Sequence, residues 1–145
     1  QMPDFFEVKR YRVTVERRKN KYNKMVSLSE AVVVVKVGDE KRLSVSESMD
    51  ETGSDRGPVN ALAKALAKDL GQYQDMIADM RLVDFKVRIT QGGTEAVTRV
   101  VIDSEDAQGR RWATVGVSPN IVDASFEALI EAMQWKILHD TQKGA

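Results

Sequence analysis

The chain has 145 residues, 42% of them hydrophobic and 30% charged, which is typical of one globular domain or of two small halves that share a core. Its 22 basic and 22 acidic residues give a formal net charge of +0, which argues against a general nucleic-acid or anionic-membrane binder. The chain has no cysteine, no apolar run that could span a membrane and no signal-peptide pattern, so we expect a cytoplasmic protein without disulfides or thiolate chemistry.

The first third of the chain predicts three strands. Residues 5–16 alternate from Val8 onward, which is typical of a strand with one face in water. Residues 16–24 are polar and basic and are expected to form a hairpin connector. Residues 30–37 are too apolar for an edge strand, so we expect a central strand there, and residues 41–46 return after a turn as the third strand.

A loop and a helix are predicted next. Residues 46–57 are acidic, rich in small residues and without periodicity, which indicates a loop. Pro58 favours a helix start, and the helix is expected over residues 59–74, with Gly71 near its end. An apolar stripe at four-residue spacing would cover a sheet, and it consists of Leu62, Leu66 and Leu70.

The same series then repeats. Strands are predicted at residues 81–90, 95–103 and 111–117, separated by turns at 91–94 and 106–109. A helix is expected over residues 121–138, followed by a frayed tail.

Both the strands and the helices of the two series align. Ala31 to Val37 matches Ala96 to Ile102, and GPVNALAKALAKDL matches the segment that follows Ser118-Pro119. Such a repeat predicts an α+β domain made of two βββα half-units, residues 4–79 and 80–139, related by a pseudo-twofold with antiparallel sheets covered by helices.

The starts of the two helices predict a small-molecule site. Helix N-termini hold anions, so converging starts could take the carboxylate of an amino acid, while Asn60 or Asn120 accepts from its ammonium group. The expected apolar wall consists of Val59, Leu82, Phe85, Ile89 and Ile121. Taken on chemistry alone, Asn and Asp at a helix start favour simple caps, and the aliphatic residues favour the core.

The motifs GPVNALAKAL, LVDFKVRI, GGTEAVTRVVI and WATVGVSPNIVDASFEAL resemble the carboxy-terminal regulatory domain of the 2-isopropylmalate synthase and citramalate synthase family. The resemblance extends from Asp4 to Leu138 and is closer to the citramalate synthase branch. It implies a homodimeric, effector-binding domain joined to a catalytic (β/α)₈ barrel in the same polypeptide. That barrel would use a divalent metal to condense acetyl-CoA with a 2-oxo acid, and isoleucine or leucine would inhibit it.

The resemblance also implies an effector pocket. The positions that match it are Val59, Asn60, Ala61, Leu82, Phe85, Ile89, Thr94, Pro119, Asn120 and Ile121. Asn60 stands where many relatives of this family carry an acidic residue, and its amide can accept a hydrogen bond but offers no charge.

No catalytic or metal-binding constellation is predicted on the chain itself. His139 is the only histidine and is expected to be a solvated surface residue. Asp103, Glu105 and Asp106 fall at or beside a predicted turn, where a solvated role is the default, and the spacing does not match a calcium-binding loop. Cofactors are therefore expected on the catalytic barrel and not on this domain.

Two tryptophans have structural interpretations. Trp112 is expected in the core or in an interface, and Trp135 is expected to cap the sheet or to meet a second subunit. Two functions stay open at this point. One is an effector-binding regulatory domain, and the other is a dimerisation module without effector binding.

Overall fold

The computed structural model describes residues 5–50, 56–68, 70–92 and 95–143. The elements run in the order β1 (Glu7–Lys19), β2 (Met25–Val37), β3 (Glu40–Asp50), α1 (Arg56–Lys68), a 3₁₀ turn (Gly71–Tyr73), α2 (Gln74–Ile77), β4 (Arg81–Gly92), β5 (Glu95–Glu105), β6 (Arg111–Ser118) and α3 (Ile121–Lys143). Two three-stranded antiparallel sheets, each followed by helices, confirm the α+β class and the tandem βββα order. No helix within these described ranges has the length and apolar character needed to cross a membrane.

The chain divides into two compact units, one formed by Phe6–Gly71 and the other by Phe5 with residues 72–143. Each unit contains one sheet and one long helix on that sheet. We call the side of each sheet that carries its own helix the inner face, and the opposite side the outer face.

In the first unit β2 lies between β1 and β3, as its apolar sequence predicted. Its inner face presents Ala31, Val33 and Val35, each at most 2% exposed. Helix α1 packs over β2 and β3 and inserts Leu62 and Leu66, which are also buried. Removing such side chains from water supplies about 1.5–3 kcal/mol each.

The strands of the first unit extend beyond their predicted ranges. Strand β1 continues through the predicted connector to Lys19. The sequence did not predict this, because the far end of the strand is exposed on both faces and shows no alternation of apolar and polar residues. Strand β3 continues to Asp50, so residues 46–50 are strand and not loop. Its inner positions include Ser44 and Ser48, both buried, and serine there leaves no hydrophobic period in the sequence.

Helix α1 is displaced from its predicted range. It begins at Arg56, before Pro58, and ends at Lys68, well short of residue 74. Gly71 adopts a left-handed backbone with φ of 58°, and a 3₁₀ turn follows it. Leu70 is fully buried although it lies beyond the helix, so the apolar spacing that suggested one long helix reflects burial and not helical continuity.

In the second unit β5 is the central strand between β4 and β6, and α3 packs over β5 and β6. The turn predicted at residues 106–109 is confirmed, with the Gly109 N–H donating to the Asp106 carbonyl at 3.1 Å. Gln91 and Gly92 belong to β4 and not to a turn, whereas positions 93 and 94 lie outside the described residues. Helix α3 continues to Lys143, so the prediction of a frayed tail after residue 138 is wrong.

Helix α3 lies unusually close to β6. Alternate residues of β6 approach three helix carbonyls four residues apart, those of Ala124, Ala128 and Ala132. Thr114 Oγ1 and Trp112 Nε1 donate to the last two of these at 2.7 Å and 3.1 Å. A Cβ on Gly116 would lie 1.8 Å from the first, so only glycine allows this approach. Two residues of a strand span about 6.6 Å and four residues of a helix span about 6 Å. Successive residues on one face of β6 therefore meet successive carbonyls along α3.

Candidate functional site

The start of α3 is capped by Asn120. Its side-chain Oδ1 accepts from the N–H groups of Val122 at 2.8 Å and Asp123 at 3.1 Å. Its backbone carbonyl accepts from the Ala124 N–H at 3.0 Å. The cap interpretation is therefore confirmed for Asn120, and both of its oxygens already have donors before any ligand arrives.

The start of α1 is built differently. Because α1 begins at Arg56, Asn60 is the fifth helical residue and not the cap that its alignment with the second helix suggested. Its side chain is exposed, whereas Val59 and Ala61 beside it are buried, at 3% and 0% exposure. Of the three effector positions predicted on α1, two pack into the first unit and only Asn60 is open to solvent.

The three effector positions predicted on β4 share its inner face. Phe85 pairs with Ile102 and Ile89 pairs with Thr98, both of which are buried inner positions of β5, and Leu82 points the same way. Helix α3 covers β5 and β6 but makes no substantial contact with β4. Ile89 is consequently 63% exposed, while Leu82 and Phe85 are half-buried.

A row of paired residues across the second sheet places Ile89 at the same end of the unit as Pro119 and Asn120. Ile89 pairs with Thr98, and Thr98 pairs with Ser118 at the end of β6. Neighbouring strands lie about 4.8 Å apart, so Ile89 is roughly 10 Å from the turn that contains Pro119 and Asn120. Pro119 is exposed, and Ile121 (which opens α3) is half-buried. Thr94 lies outside the described residues, and the expected convergence of the two helix starts stays a prediction.

The second unit contains a buried ionic cluster that the sequence did not predict. Lys136 of α3 is 2% exposed and pairs with Asp79 at 3.3 Å, with Asp106 at 3.5 Å and with Asp140. Arg110 pairs with Asp106 at 2.7 Å and with Asp140. The prediction of a solvated Asp106 is therefore wrong. The sequence signal was the spacing of four between Lys136 and Asp140 on the last helix.

The cluster holds its members in their charged forms. Burial alone would raise the pKa of Asp106, but hydrogen bonds and the charge from Arg110 bring that pKa below its ordinary value. The same balance lowers the pKa of Asp140, through Lys136 and Arg110. Burial would lower the pKa of Lys136, yet Asp140 and Asp79 raise it. The cluster ties the α2–β4 connection and the β5–β6 turn to the end of α3.

Three stacked rings lie beside the cluster. Trp112 and Trp135 stack with centroids 4.3 Å apart, and His139 stacks on Trp135 at 3.7 Å. His139 Nδ1 lies 2.9 Å from the Trp135 carbonyl, so this nitrogen carries the proton that is donated. His139 is half-buried in the continuing helix, which corrects its expected place in a frayed, solvated tail. Trp112 is a core residue at 7% exposure.

The ionic cluster pairs its carboxylates with Lys136 and Arg110, which favours a structural role. Within the described ranges, no three His, Asp or Glu side chains are grouped so as to hold a metal ion. What the second unit offers instead is an uncovered apolar strand face beside a capped helix start, which suits binding.

A family model for the LeuA allosteric (dimerisation) domain matches residues 1–137 of this chain. The chain is 40% identical over 141 residues to an (R)-citramalate synthase from Geobacter sulfurreducens, covering 96% of this chain and 24% of that protein. It is 37% identical over 144 residues to an (R)-citramalate synthase from Aquifex aeolicus, covering 97% of this chain and 25% of that protein.

A more distant relative belongs to the other branch. A probable 2-isopropylmalate synthase from Methanosarcina acetivorans is 39% identical over 77 residues, which covers 53% of this chain and 14% of that protein. The chain thus spans about a quarter of the length of the citramalate synthases it matches.

Proposed function

This chain belongs to the LeuA allosteric (dimerisation) domain family, and we propose from that membership that it binds a branched-chain amino acid and regulates a synthase. The effector would be isoleucine, or else leucine, acting as the end product that inhibits the enzyme. The regulated reaction would be the condensation of acetyl-CoA with a 2-oxo acid, carried out by a metal-dependent catalytic barrel of the same polypeptide. The similarity to two citramalate synthases supports this assignment.

The uncovered inner face of β4 is the observation that carries the proposal. Leu82, Phe85 and Ile89 form a continuous apolar strip there together with Val87, and α3 leaves it open. A branched aliphatic side chain that packs on this strip loses water-exposed apolar surface, as does Ile89. Each methylene buried in this way contributes about 0.8 kcal/mol.

Two polar groups would hold the backbone of the amino acid. The N-terminus of α3 carries a partial positive charge that favours a carboxylate, and it lies at the same end of the sheet as Ile89. Asn60 is exposed and can accept a hydrogen bond from an ammonium group. Because Asn120 already serves as a cap, Asn60 is the better candidate of the two for this contact.

Calorimetric titration and thermal unfolding of the chain with isoleucine, leucine and valine test the proposal. A ligand at 100 times its dissociation constant raises the free energy of unfolding by about 2.7 kcal/mol. Ile89→Ala is expected to remove most of that gain. Leu43→Ala is the matched control, because Leu43 is similarly exposed at 59% but lies on the outer face of the other sheet. No response to any of the three at millimolar concentration would contradict effector binding.

The second candidate is a dimerisation module without effector binding. It is favoured by the family description and by the exposed aliphatic residues on the outer faces of both sheets, such as Leu43 at 59% and Val117 at 50% exposure. A chain that dimerises at micromolar concentration and shows no calorimetric response to the three amino acids would support this candidate over the first.

A further inference from the structure

The outer face of the first sheet contains a basic cavity at the end where β2 turns into β3. Its volume is about 350 Å³, and its lining consists of Lys9, Arg10, Val34, Lys41, Arg42 and Leu43. Four of these six residues are cationic and none is acidic. We call this cavity the basic basin. Small-molecule sites in proteins have volumes of about 300–1,000 Å³, so the basin is large enough for a ligand.

A β-bulge in β1 adds a cation to the basin. The pairing of β1 with β2 shifts between Val8 and Arg10, which leaves Lys9 as an extra residue in the strand. Consecutive residues of a regular strand point to opposite faces, yet Lys9 and Arg10 both line the cavity. Bulges re-aim side chains in this way and are frequent beside functional sites.

Three cations at the basin have no carboxylate partner. Lys36 and Lys41 are direct partners across β2 and β3, and like charges placed directly opposite each other destabilise a sheet. Within residues 5–50, 56–68, 70–92 and 95–143, neither of these lysines belongs to an ion pair, and Arg10 has none either. The basin therefore carries positive charge that the described part of the chain does not neutralise.

The nearby carboxylates are engaged or distant. Glu7 and Glu40 each pair with a neighbouring cation, at 3.2 Å and 2.8 Å. Glu30 and Glu47 stand opposite each other, and Glu47 is four residues along β3 from Leu43, which corresponds to about 13 Å. These side chains leave the basin open to an anion from outside.

The first sheet also has a stronger positive field than the second. Residues 7–50, which include β1 to β3, contain 11 basic and seven acidic side chains. Residues 81–118, which include β4 to β6, contain six basic and five acidic side chains. An excess of one sign raises the local concentration of ions of the opposite sign, so anions collect at the first sheet.

We propose that the basic basin binds a nucleoside diphosphate. Arg10, Lys36 and Lys41 contact the two phosphates, because a guanidinium group fits phosphate oxygens and an ammonium group binds them as a point charge. One phosphate group carries about two negative charges, so two linked phosphates can neutralise all three cations.

The floor of the basin suits the base of the nucleotide. Val34 is half-buried and Leu43 is 59% exposed, and the two are direct partners across β2 and β3. A flat ring that packs on these side chains removes their apolar surface from water. The basin does not include the β4 strip, so the response to branched-chain amino acids can fail without affecting this proposal.

Calorimetric titration of the chain with adenosine diphosphate (ADP), inorganic pyrophosphate and adenosine tests the site. ADP should bind most tightly, and pyrophosphate should bind more weakly by at least about threefold because it lacks the base. Adenosine, which lacks the phosphates, should give no measurable heat. Absence of ADP binding at millimolar concentration would overturn the proposal, as would equal affinities of ADP and pyrophosphate or of ADP and adenosine.

A pair of charge-removing variants distinguishes the basin from general attraction to cations. Arg10→Gln with Lys41→Gln should weaken ADP binding by at least about tenfold. The matched control is Arg88→Gln with Arg99→Gln, which removes the same charge from a cationic cavity of about 440 Å³ on the outer face of the second sheet. It should change ADP affinity by less than about twofold. Equal losses in the two variants would overturn the proposal.

A stability measurement separates ligand binding from folding. Replacing Lys41 removes its repulsion with Lys36, so the thermal midpoint of the Arg10→Gln, Lys41→Gln variant should be equal to that of the wild type or higher. Lys36→Gln provides a second test that leaves β1 and β3 unchanged, and it should weaken ADP binding by at least about threefold. Unchanged ADP affinity in the folded Lys36→Gln variant would contradict the assigned phosphate contacts.

Discussion

The two units repeat one topology but hold their helices in different ways. In the second unit α3 has 23 residues and is fixed by the Asn120 cap, by close contact at Gly116 and by the ionic cluster around Lys136. In the first unit α1 has 13 residues, and beyond its apolar packing it gains an exposed hydrogen bond from Lys68 Nζ to the Val45 carbonyl at 3.1 Å.

Apolar periodicity indicates where each helix packs, and we expect the polar and close-range contacts of α3 to hold it more firmly than α1 is held. Corresponding substitutions in the two units should therefore have unequal costs. We expect the second unit to be the less tolerant, and the first unit to be the easier one for a ligand to reorganise. The following substitutions compare the units directly.

The largest difference is expected for lysine. Lys136→Met would leave Asp79, Asp106 and Asp140 with too little positive charge in a buried site, at a cost of about 3–5 kcal/mol. Lys64→Met on α1 is the matched control and should change stability by less than about 0.5 kcal/mol, because Lys64 is exposed. Urea unfolding measures both values, and equal costs would contradict the structural role of the cluster.

Glycine provides the second comparison. Gly116→Ala would place a Cβ 1.8 Å from a backbone carbonyl, so α3 must move away from β6, and we expect a loss of about 3 kcal/mol. Gly38→Ala, in the hairpin of the first unit, meets no atom within 4 Å but has φ of 62°, and it should cost about 1–2 kcal/mol. A milder effect at Gly116 than at Gly38 would contradict the close approach of helix and strand.

Acid should loosen the second unit before the first. The pKa values of Asp106 and Asp140 are lowered in the folded state, so the unfolded chain takes up these protons first as the pH falls. Their stabilisation is complete above the unfolded value of about 3.9 and is lost progressively as the pH drops towards the lower folded values.

Lys136 has the opposite dependence. Its raised pKa stabilises the fold below the unfolded value of about 10.4 and ceases to do so as the pH rises through the folded value.

The acid response of Asp106 and Asp140 can be measured by hydrogen exchange. Between pH 5 and pH 3, protection should fall in α3 before it falls in α1. Simultaneous loss in both helices would show that the cluster does not control the acid response.

The sequence identified the repeated strands and helices because burial on one face leaves a period that can be read locally. It failed where that period is missing, as at Ser44 and Ser48, or where exposed strand ends carry basic residues. Only the Lys136–Asp140 spacing of the ionic cluster could be read locally, because its other contacts bring Asp79 and Asp106 to Lys136 across the second unit. The shared face of Phe85 and Ile89 followed from strand alternation, whereas Leu82 reaches that face only through the bulge between Leu82 and Asp84. The exposure of this face depends on where α3 lies.

The smallest stability effect distinguishes Asn120 from Asn60. Asn120→Ala removes the acceptor for two backbone N–H groups and should cost about 1 kcal/mol. Asn60→Ala should cost less than about 0.5 kcal/mol, because Asn60 is an exposed residue inside α1. If Asn60 accepts from the ligand ammonium group, its substitution weakens amino-acid binding while the free energy of unfolding stays almost constant. Asn120→Ala should show the reverse balance, with a lower midpoint in urea and a smaller change in affinity. Calorimetry and urea unfolding on both variants would separate a ligand contact from a cap, and equal losses of affinity would show that both asparagines contact the ligand.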